Sequence, residues 1–189
     1  MSVNKGGLIV ITGPSGVGKG TLLSRLCDRY GDLFQVSVSV TTRPPRPHEV
    51  DGKDYFFWSR EQFEEARAQG FFLEWAEYAG NLYGTPKEPV EKTIAAGKWV
   101  LLEIDLAGAR QIAQTFPRAM RIFIAPPSMA VLEERLRKRS TEPEESIAKR
   151  LDHAKIELGA MDEFDYVIVN GDLEEALGEL EAAIFGEEL

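Results

Sequence analysis

The chain has 189 residues, 43% of them hydrophobic and 28% charged, with a formal net charge of −9. That length and apolar share suit one domain with a proper core and exclude a disordered chain, while the acidic balance excludes nucleic-acid binding through bulk positive charge. Most of the negative sign sits at the C-terminal end, where the segment from Asp172 to Leu189 holds seven acids and no base. A local arginine cluster can therefore still govern an anionic ligand, because screening at physiological salt acts over about 8 Å. Cys27, the only cysteine, cannot form an internal disulfide and shares a helical stripe with Leu22, Leu23, Leu26 and Tyr30, so it reads as a small core hydrophobe. The N-terminal "MSVNKGGLIVITGPSG" lacks an apolar export core of ~7–15 residues, and no stretch approaches the ~18 apolar residues of a membrane span. A soluble, cytoplasmic protein without membrane contact is expected.

In chain order, short apolar runs alternate with helical segments: "LIVIT" at Leu8–Thr12, "VSVSV" at Val36–Val40, "WVLLEI" at Trp99–Ile104, "RIFIA" at Arg121–Ala125 and "YVIVN" at Tyr166–Asn170. This alternation predicts an α/β fold, a parallel sheet flanked by helices. Ser59 with Gln62 forms a capping box, and Gly70 and Gly97 stand where glycines end helices. Two regions interrupt the pattern. From Ser37 to about Ala96 the chain is too long for one crossover, and "DYFFW" and "FFLEWAEY" read as extra strands of an inserted mixed α/β lobe. From Ser128 to Asp162, "SMAVLEERLRKR" and "EESIAKRLDHAKIELGAM" read as two helices joined by a turn at Glu142–Pro143, the shape of a mobile lid. The expected organisation is a single domain with a core over 1–35, 97–127 and 163–189, a lobe over about 36–96 and a lid over about 128–162.

After the first strand, "GPSGVGKGT" fits the phosphate-binding loop G-x-x-x-x-G-K-[ST] except that Gly20 replaces the hydroxyl residue. Gly13, Gly16 and Gly18 let the backbone of Pro14, Ser15 and Val17 curl so that its N–H groups face anionic oxygens, and the helix starting near Lys19 adds its positive end. Lys19 can reach β- and γ-phosphates, which makes the loop a nucleoside triphosphate site of the P-loop NTPase type. The "GKGT" ending is similar to that of adenylate kinases, a resemblance implying that Mg²⁺ arrives with ATP and is held mainly by phosphate oxygens and water. Thr21 is the one nearby hydroxyl.

Further along, "SVSVTTRPPRPHEVDGKDYFF" places Arg43 and Arg46 in a proline-stiffened loop, with Tyr55 at its end and Tyr83 downstream. Two planar guanidinium forks and two phenolic hydroxyls suit the phosphate of a monophosphate acceptor. A proline-rich docking peptide is the other reading of "PPRP", and its single occurrence between strands argues against it. On the lid, Arg135 and Arg139 share one helix face and Arg150 lies on the next helix, so they can converge on a transferring group.

Taken in order, "GPSGVGKGT", the arginine segment, "FLEWAEYAGNLYGTP", "LLEIDLAGA", "RSTEPEESIAKRL" and "DYVIVN" resemble the guanylate kinase family across nearly the whole chain. The resemblance implies an enzyme that transfers the γ-phosphoryl group of MgATP to GMP, and dGMP, in purine nucleotide metabolism. It implies that Glu74 reads guanine N1–H and the 2-amino group, that Ser39 and Thr85 hydrogen-bond the O6 side, and that Asp105 lies near base or ribose. By the same resemblance Arg43, Arg46, Tyr55 and Tyr83 hold the GMP phosphate, Arg135, Arg139 and Arg150 contact phosphates of both nucleotides, and Asn170 lies near adenine. Asn170 followed by Gly171 also reads as a plain turn at a strand end. Glu103 stands where the family has aspartate, with a link to the metal's water shell, and His48 departs from the family's glycine. Two alternatives remain open: a catalytically inactive phosphopeptide-binding module, and a kinase of the same fold for another small phosphate.

Overall fold

The computed structural model describes residues 6–78, 80–139 and 143–186. Its elements are β1 (Leu8–Thr12), α1 (Lys19–Tyr30), β2 (Phe34–Val36), β3 (Val40–Thr41), β4 (Phe56–Phe57), α2 (Arg60–Ala68), β5 (Phe72–Tyr78), β6 (Asn81–Pro86), α3 (Lys87–Ala95), β7 (Trp99–Glu103), α4 (Leu106–Thr115), β8 (Met120–Ala125), α5 (Met129–Arg139), α6 (Glu144–Leu158), β9 (Tyr166–Val169) and α7 (Leu173–Phe185).

Five strands form a parallel sheet in the order β2, β7, β1, β8, β9. Both faces are covered, which is why β1 is apolar at nearly every position rather than alternating. Ile9 and Ile11 point to a layer built with Leu22 and Leu26 of α1 and Leu177 and Leu180 of α7. Leu8 and Val10 point to the opposite layer, with Val90 of α3 and Ala109 and Ile112 of α4. Consecutive strands β7 and β8 lie on opposite sides of β1, so the chain opens a crevice beyond the carboxyl end of β1, the position where open α/β sheets bind ligands.

A second sheet, in the order β4, β3, β6, β5, has its own small core of Val40, Phe63 and Leu82. Phe63 stacks on Phe72 with ring centroids 4.4 Å apart. The expected single strand Val36–Val40 is divided between the two sheets. Val36 ends β2 and Val40 opens β3; between them the Ser37 N–H donates to Leu101 O of the first sheet while Ser39 O accepts from Phe56 of the second. The two serines thus carry the chain across with their backbone groups satisfied, one on each side. Strand β6 is the element the sequence concealed, because Gly84 and Pro86 are poor strand formers. A Cβ on Gly84 would lie 2.8 Å from the Phe72 ring and 3.0 Å from that of Phe63, so the aromatic core demands the glycine.

The capping box is present, with Gln62 N–H donating to Ser59 Oγ and Ser59 N–H to Gln62 Oε1. Gly70 and Gly97 follow α2 and α3 at φ of 70° and 84°. The turn expected at Glu142–Pro143 falls partly outside the described residues; Pro143 immediately precedes α6. Leu132 and Leu136 of α5 and Ile147 of α6 are buried in the same layer as Ile9 and Ile11, which seats the helix pair against the parallel sheet. Cys27 packs half-buried against that layer, and burial pushes its thiol upward. Among the described residues no helix is long and apolar enough to cross a membrane.

Candidate active site

The phosphate loop fills the crevice at the end of β1. Gly13 has φ 144°, and a Cβ there would collide with the carbonyl oxygen of Ile124. Gly18 has φ 104°, and a Cβ there would press on the side-chain amide of Asn170. Both positions combine a left-handed backbone with a close neighbour, so glycine is required twice over. Val17 N–H closes a turn onto Pro14 O at 3.1 Å. Lys19 Nζ donates to Gly13 O at 2.5 Å and Pro14 O at 3.2 Å, folding its ammonium over the loop. Asn170 is buried at the end of β9, and its Nδ2 donates to Val17 O at 2.8 Å, so beyond ending the strand it braces the loop.

Two of the three lid arginines expected at phosphates have described contacts. Arg150 Nη1 donates to Ser15 Oγ at 3.3 Å, bringing α6 to the loop. Arg135 donates to Val17 O at 3.1 Å and Asn170 O at 3.0 Å, so its fork is engaged by carbonyls at the loop's rim. Arg139 closes α5, and its side chain lies outside the described residues.

The second cluster gathers on the loop between β3 and β4. Arg43 lies over Tyr55 at 5.5 Å and Phe57 at 5.9 Å from the ring centroids, and Tyr55 meets Tyr83 edge-on at 6.1 Å. Burial raises the Tyr55 phenol above its usual range, with the nearby Tyr83 and Glu103 adding to the effect, so the Tyr55 hydroxyl is a neutral donor. Arg46 is exposed, with its Nη1 3.7 Å from Glu49 Oε1. His48, where the family has glycine, is exposed on the same loop.

The third cluster is the buried carboxylate of Glu74, on β5. Thr85 of β6 donates its hydroxyl to Glu74 Oε1 at 2.5 Å. Burial, with the negative field of Asp105, pushes the Glu74 carboxyl up to about 7, against the pull of the Thr85 hydrogen bonds. Helix α4 can pass this close only because residue 108 is glycine: a Cβ there would lie 2.6 Å from Glu74 Oε2. Asp105 caps α4, its Oδ1 accepting from Gly108 N–H at 2.8 Å, a structural duty the sequence reading did not assign to it. Ser39, half-buried, stands at the crossing between the sheets.

Oxygen donors suited to a hard divalent cation flank the start of α1. Glu103 is exposed at the end of β7, and a Cβ added to Gly20 would stand 3.5 Å from Glu103 Oε2, an ordinary contact. Thr21 is exposed one residue on. Among the described residues no three acids, histidines or cysteines converge as a metal cage.

Sequence reasoning missed three participants. Glu49 stands between Arg43 and Arg46; Gly108 makes room for Glu74; and Glu157 of α6 is buried, its carboxylate 3.6 Å from His153 Nδ1. Burial raises the Glu157 carboxyl despite the attraction of His153 and Lys19. Gly108 becomes meaningful through Glu74, and Glu157 through Lys19 as well as the nearby His153, whereas the place of Glu49 beside Arg43 and Arg46 was visible in "RPPRPHE".

The family model described as guanylate kinase matches residues 5–187 of the chain. The chain is 59% identical over 181 residues to the guanylate kinase of Nostoc sp., covering 96% of this chain and 90% of that protein. It is 59% identical over 184 residues to the guanylate kinase of Synechocystis sp., covering 97% and 95%. The crystal structure of guanylate kinase from Anaplasma phagocytophilum superposes with a TM-score of 0.76 at 35% identity, covering 98% of this chain and 88% of that one. With these matches along nearly its full length, the chain belongs to the guanylate kinase family.

Proposed function

We propose that the chain transfers the γ-phosphoryl group of ATP to GMP, and to dGMP, giving ADP and GDP or dGDP. The observation that carries this reading is the buried Glu74: a carboxylate sunk beside Thr85 and Gly108 offers two acceptor oxygens, the complement of guanine N1–H and its 2-amino group. Ser39 takes the O6 side, joined by Thr85 when its one hydroxyl proton turns from Glu74 to the base, and Asp105 holds the helix end next to the base. Arg43, Arg46, Tyr55 and Tyr83 grip the GMP phosphate. The loop from Gly13 to Thr21 takes the phosphates of ATP, and Asn170 and Arg135 lie on the adenine side of it.

The acceptor phosphate is already anionic at neutral pH, so no general base is needed, and catalysis consists of positioning and charge neutralisation. Lys19 swings from the Gly13 and Pro14 carbonyls to the β- and γ-oxygens, and Arg150, already at the loop, meets the transferring group together with Arg139. Glu103 and Thr21 would hold Mg²⁺ through its water shell; when bound, the ion neutralises the β- and γ-phosphates. The lobe over about 36–96 and the lid over about 128–162 exclude water as they close on the two nucleotides.

An ADP-release assay across GMP, dGMP, AMP, CMP and UMP tests the reading. Turnover on GMP and dGMP at least about 100-fold above the other three is expected, because a site built to hydrogen-bond one base leaves buried groups unpaired with another. Turnover on none of them by the folded protein would point instead to a binding module, and transfer to a different small phosphate to a kinase of altered specificity.

A further inference from the structure

Along the loop from Pro44 to Asp54 the side chains are exposed, with one inward exception, Glu49, whose side chain is only 7% exposed. Glutamate is almost never buried unless paired, and here the pairing is specific. Arg43 Nη2 donates to both Glu49 oxygens, at 2.8 and 2.9 Å. The backbone N–H of Arg46 donates to Oε2 at 2.8 Å, and Arg46 Nη1 stands 3.7 Å from Oε1. Glu49 N–H in turn donates to Arg46 O at 3.0 Å, closing the turn that bears the carboxylate. One carboxylate thus ties together two guanidinium groups three residues apart, groups that would otherwise repel each other. Those bonds hold the Glu49 carboxyl at about 2, so it is ionised throughout the physiological range.

We infer that Glu49 is a positioning residue for the acceptor phosphate, a fixed internal anion that sets the two arginines in place before GMP arrives. The inference rests on the reading of Arg43 and Arg46 as the GMP phosphate clamp. The carboxylate engages Arg43 through Nη2, and Pro44 O takes one N–H of Nη1 at 2.7 Å, which leaves donors on Nη1 and Nε for Tyr83 and an incoming phosphate. A free arginine side chain carries substantial rotamer entropy, and a fork already held in place loses less of it on binding. The proline-rich backbone cannot supply this order alone, because it restricts φ and leaves the arginine χ angles free.

The test is a set of steady-state constants for the full chain and Glu49→Gln, with the affinity for guanosine, which lacks the phosphate, measured alongside. A rise of about tenfold in the KM for GMP is expected, with the KM for ATP and the guanosine affinity within about twofold of wild type. A general loss of structure would move all three. A GMP KM within twofold of wild type, or an equal loss for guanosine, overturns the inference. Glu49→Asp, which keeps the charge and shortens its reach, is expected to show a smaller split in the same direction; if Glu49→Gln melts below the assay temperature, an unchanged GMP KM in Glu49→Asp overturns it. Arg43→Ala separates the two levels of the argument. If Arg43→Ala leaves the GMP KM unchanged, the clamp reading fails; if it raises that KM and Glu49→Gln does not, only the role of Glu49 fails. In an Arg43→Ala background, Glu49→Gln should add less than twofold.

Discussion

Thr85 donates its hydroxyl to Oε1 of Glu74 at 2.5 Å, which turns one strand pair of the second sheet into a tuned acceptor. Burial is the main force lifting that carboxyl to about 7, and the Thr85 bonds oppose it. Guanine recognition needs the ionised form, so the binding-competent fraction grows as the pH rises through about 7. The affinity for guanosine should therefore strengthen about tenfold between pH 6 and pH 8, by the ratio of ionised fractions. Guanosine is the right probe because a nucleotide phosphate itself titrates near pH 6. Calorimetric affinities that stay flat over this range, or that show the same slope in Glu74→Gln, would contradict it.

The same group makes a stability prediction of opposite sign. Its folded pKa is raised above the unfolded value of about 4.3, so its contribution is fully present below about pH 4.3 and is lost as the pH climbs through about 7. Glu74→Gln cannot ionise and lacks that slope. Its melting temperature relative to wild type should accordingly rise from pH 5 to pH 8, as differential scanning calorimetry can read.

Gly108→Ala should damage recognition more than folding. Alanine is a better helix former than glycine by about 1 kcal/mol, yet its Cβ would stand 2.6 Å from Glu74 Oε2 and force that carboxylate aside. The KM for GMP should rise about tenfold, with the KM for ATP and the melting temperature little changed. Equal kinetics for both substrates would mean that Glu74 can yield without losing the base.

Lys19→Ala should abolish most transfer while leaving the fold intact. In the structure its ammonium donates to the loop carbonyls of Gly13 and Pro14, while the loop's own turn is closed by Val17 N–H on Pro14 O and braced by Asn170. A charge contact made in the transition state is worth ~3 kcal/mol or more, so turnover should fall below about a tenth of wild type. A variant exceeding that level would remove Lys19 from the mechanism.

Gly20→Ser should leave the magnesium requirement unchanged or lower it modestly, since the new side chain would enter at ordinary contact distance from Glu103 Oε2. Thr21→Val should be mild as well, because a hydrated ion loses at most one outer partner. Magnesium titrations at fixed ATP check both. A tenfold higher requirement in Thr21→Val, about 1.4 kcal/mol, would assign Thr21 a direct role and displace the water-held ion.

The class of fold and the location of the phosphate loop are readable from the order of the residues. Apolar runs such as "LIVIT" reflect strands covered on both faces, and the loop's glycines and lysine are contiguous, so their chemistry is local and readable. The closeness of Arg43 to Arg46 was legible for the same reason, as was the capping box at Ser59. Whatever depends on contacts between distant segments emerges only on folding. Folding divided Val36–Val40 between two sheets, because the pairing partners Leu101 and Phe56 lie far along the chain. It made strand β6 out of a glycine- and proline-bearing stretch, because Gly84 fits beneath two rings supplied by α2 and β5. It joined Glu74 to Thr85 and Gly108, and Asn170 to Val17, across 11 and 153 positions respectively for the two hydrogen bonds. Periodicity and composition report which way a side chain faces. They carry no information about which remote group it will meet, and burial, charge state and room for a carboxylate are all properties of that meeting.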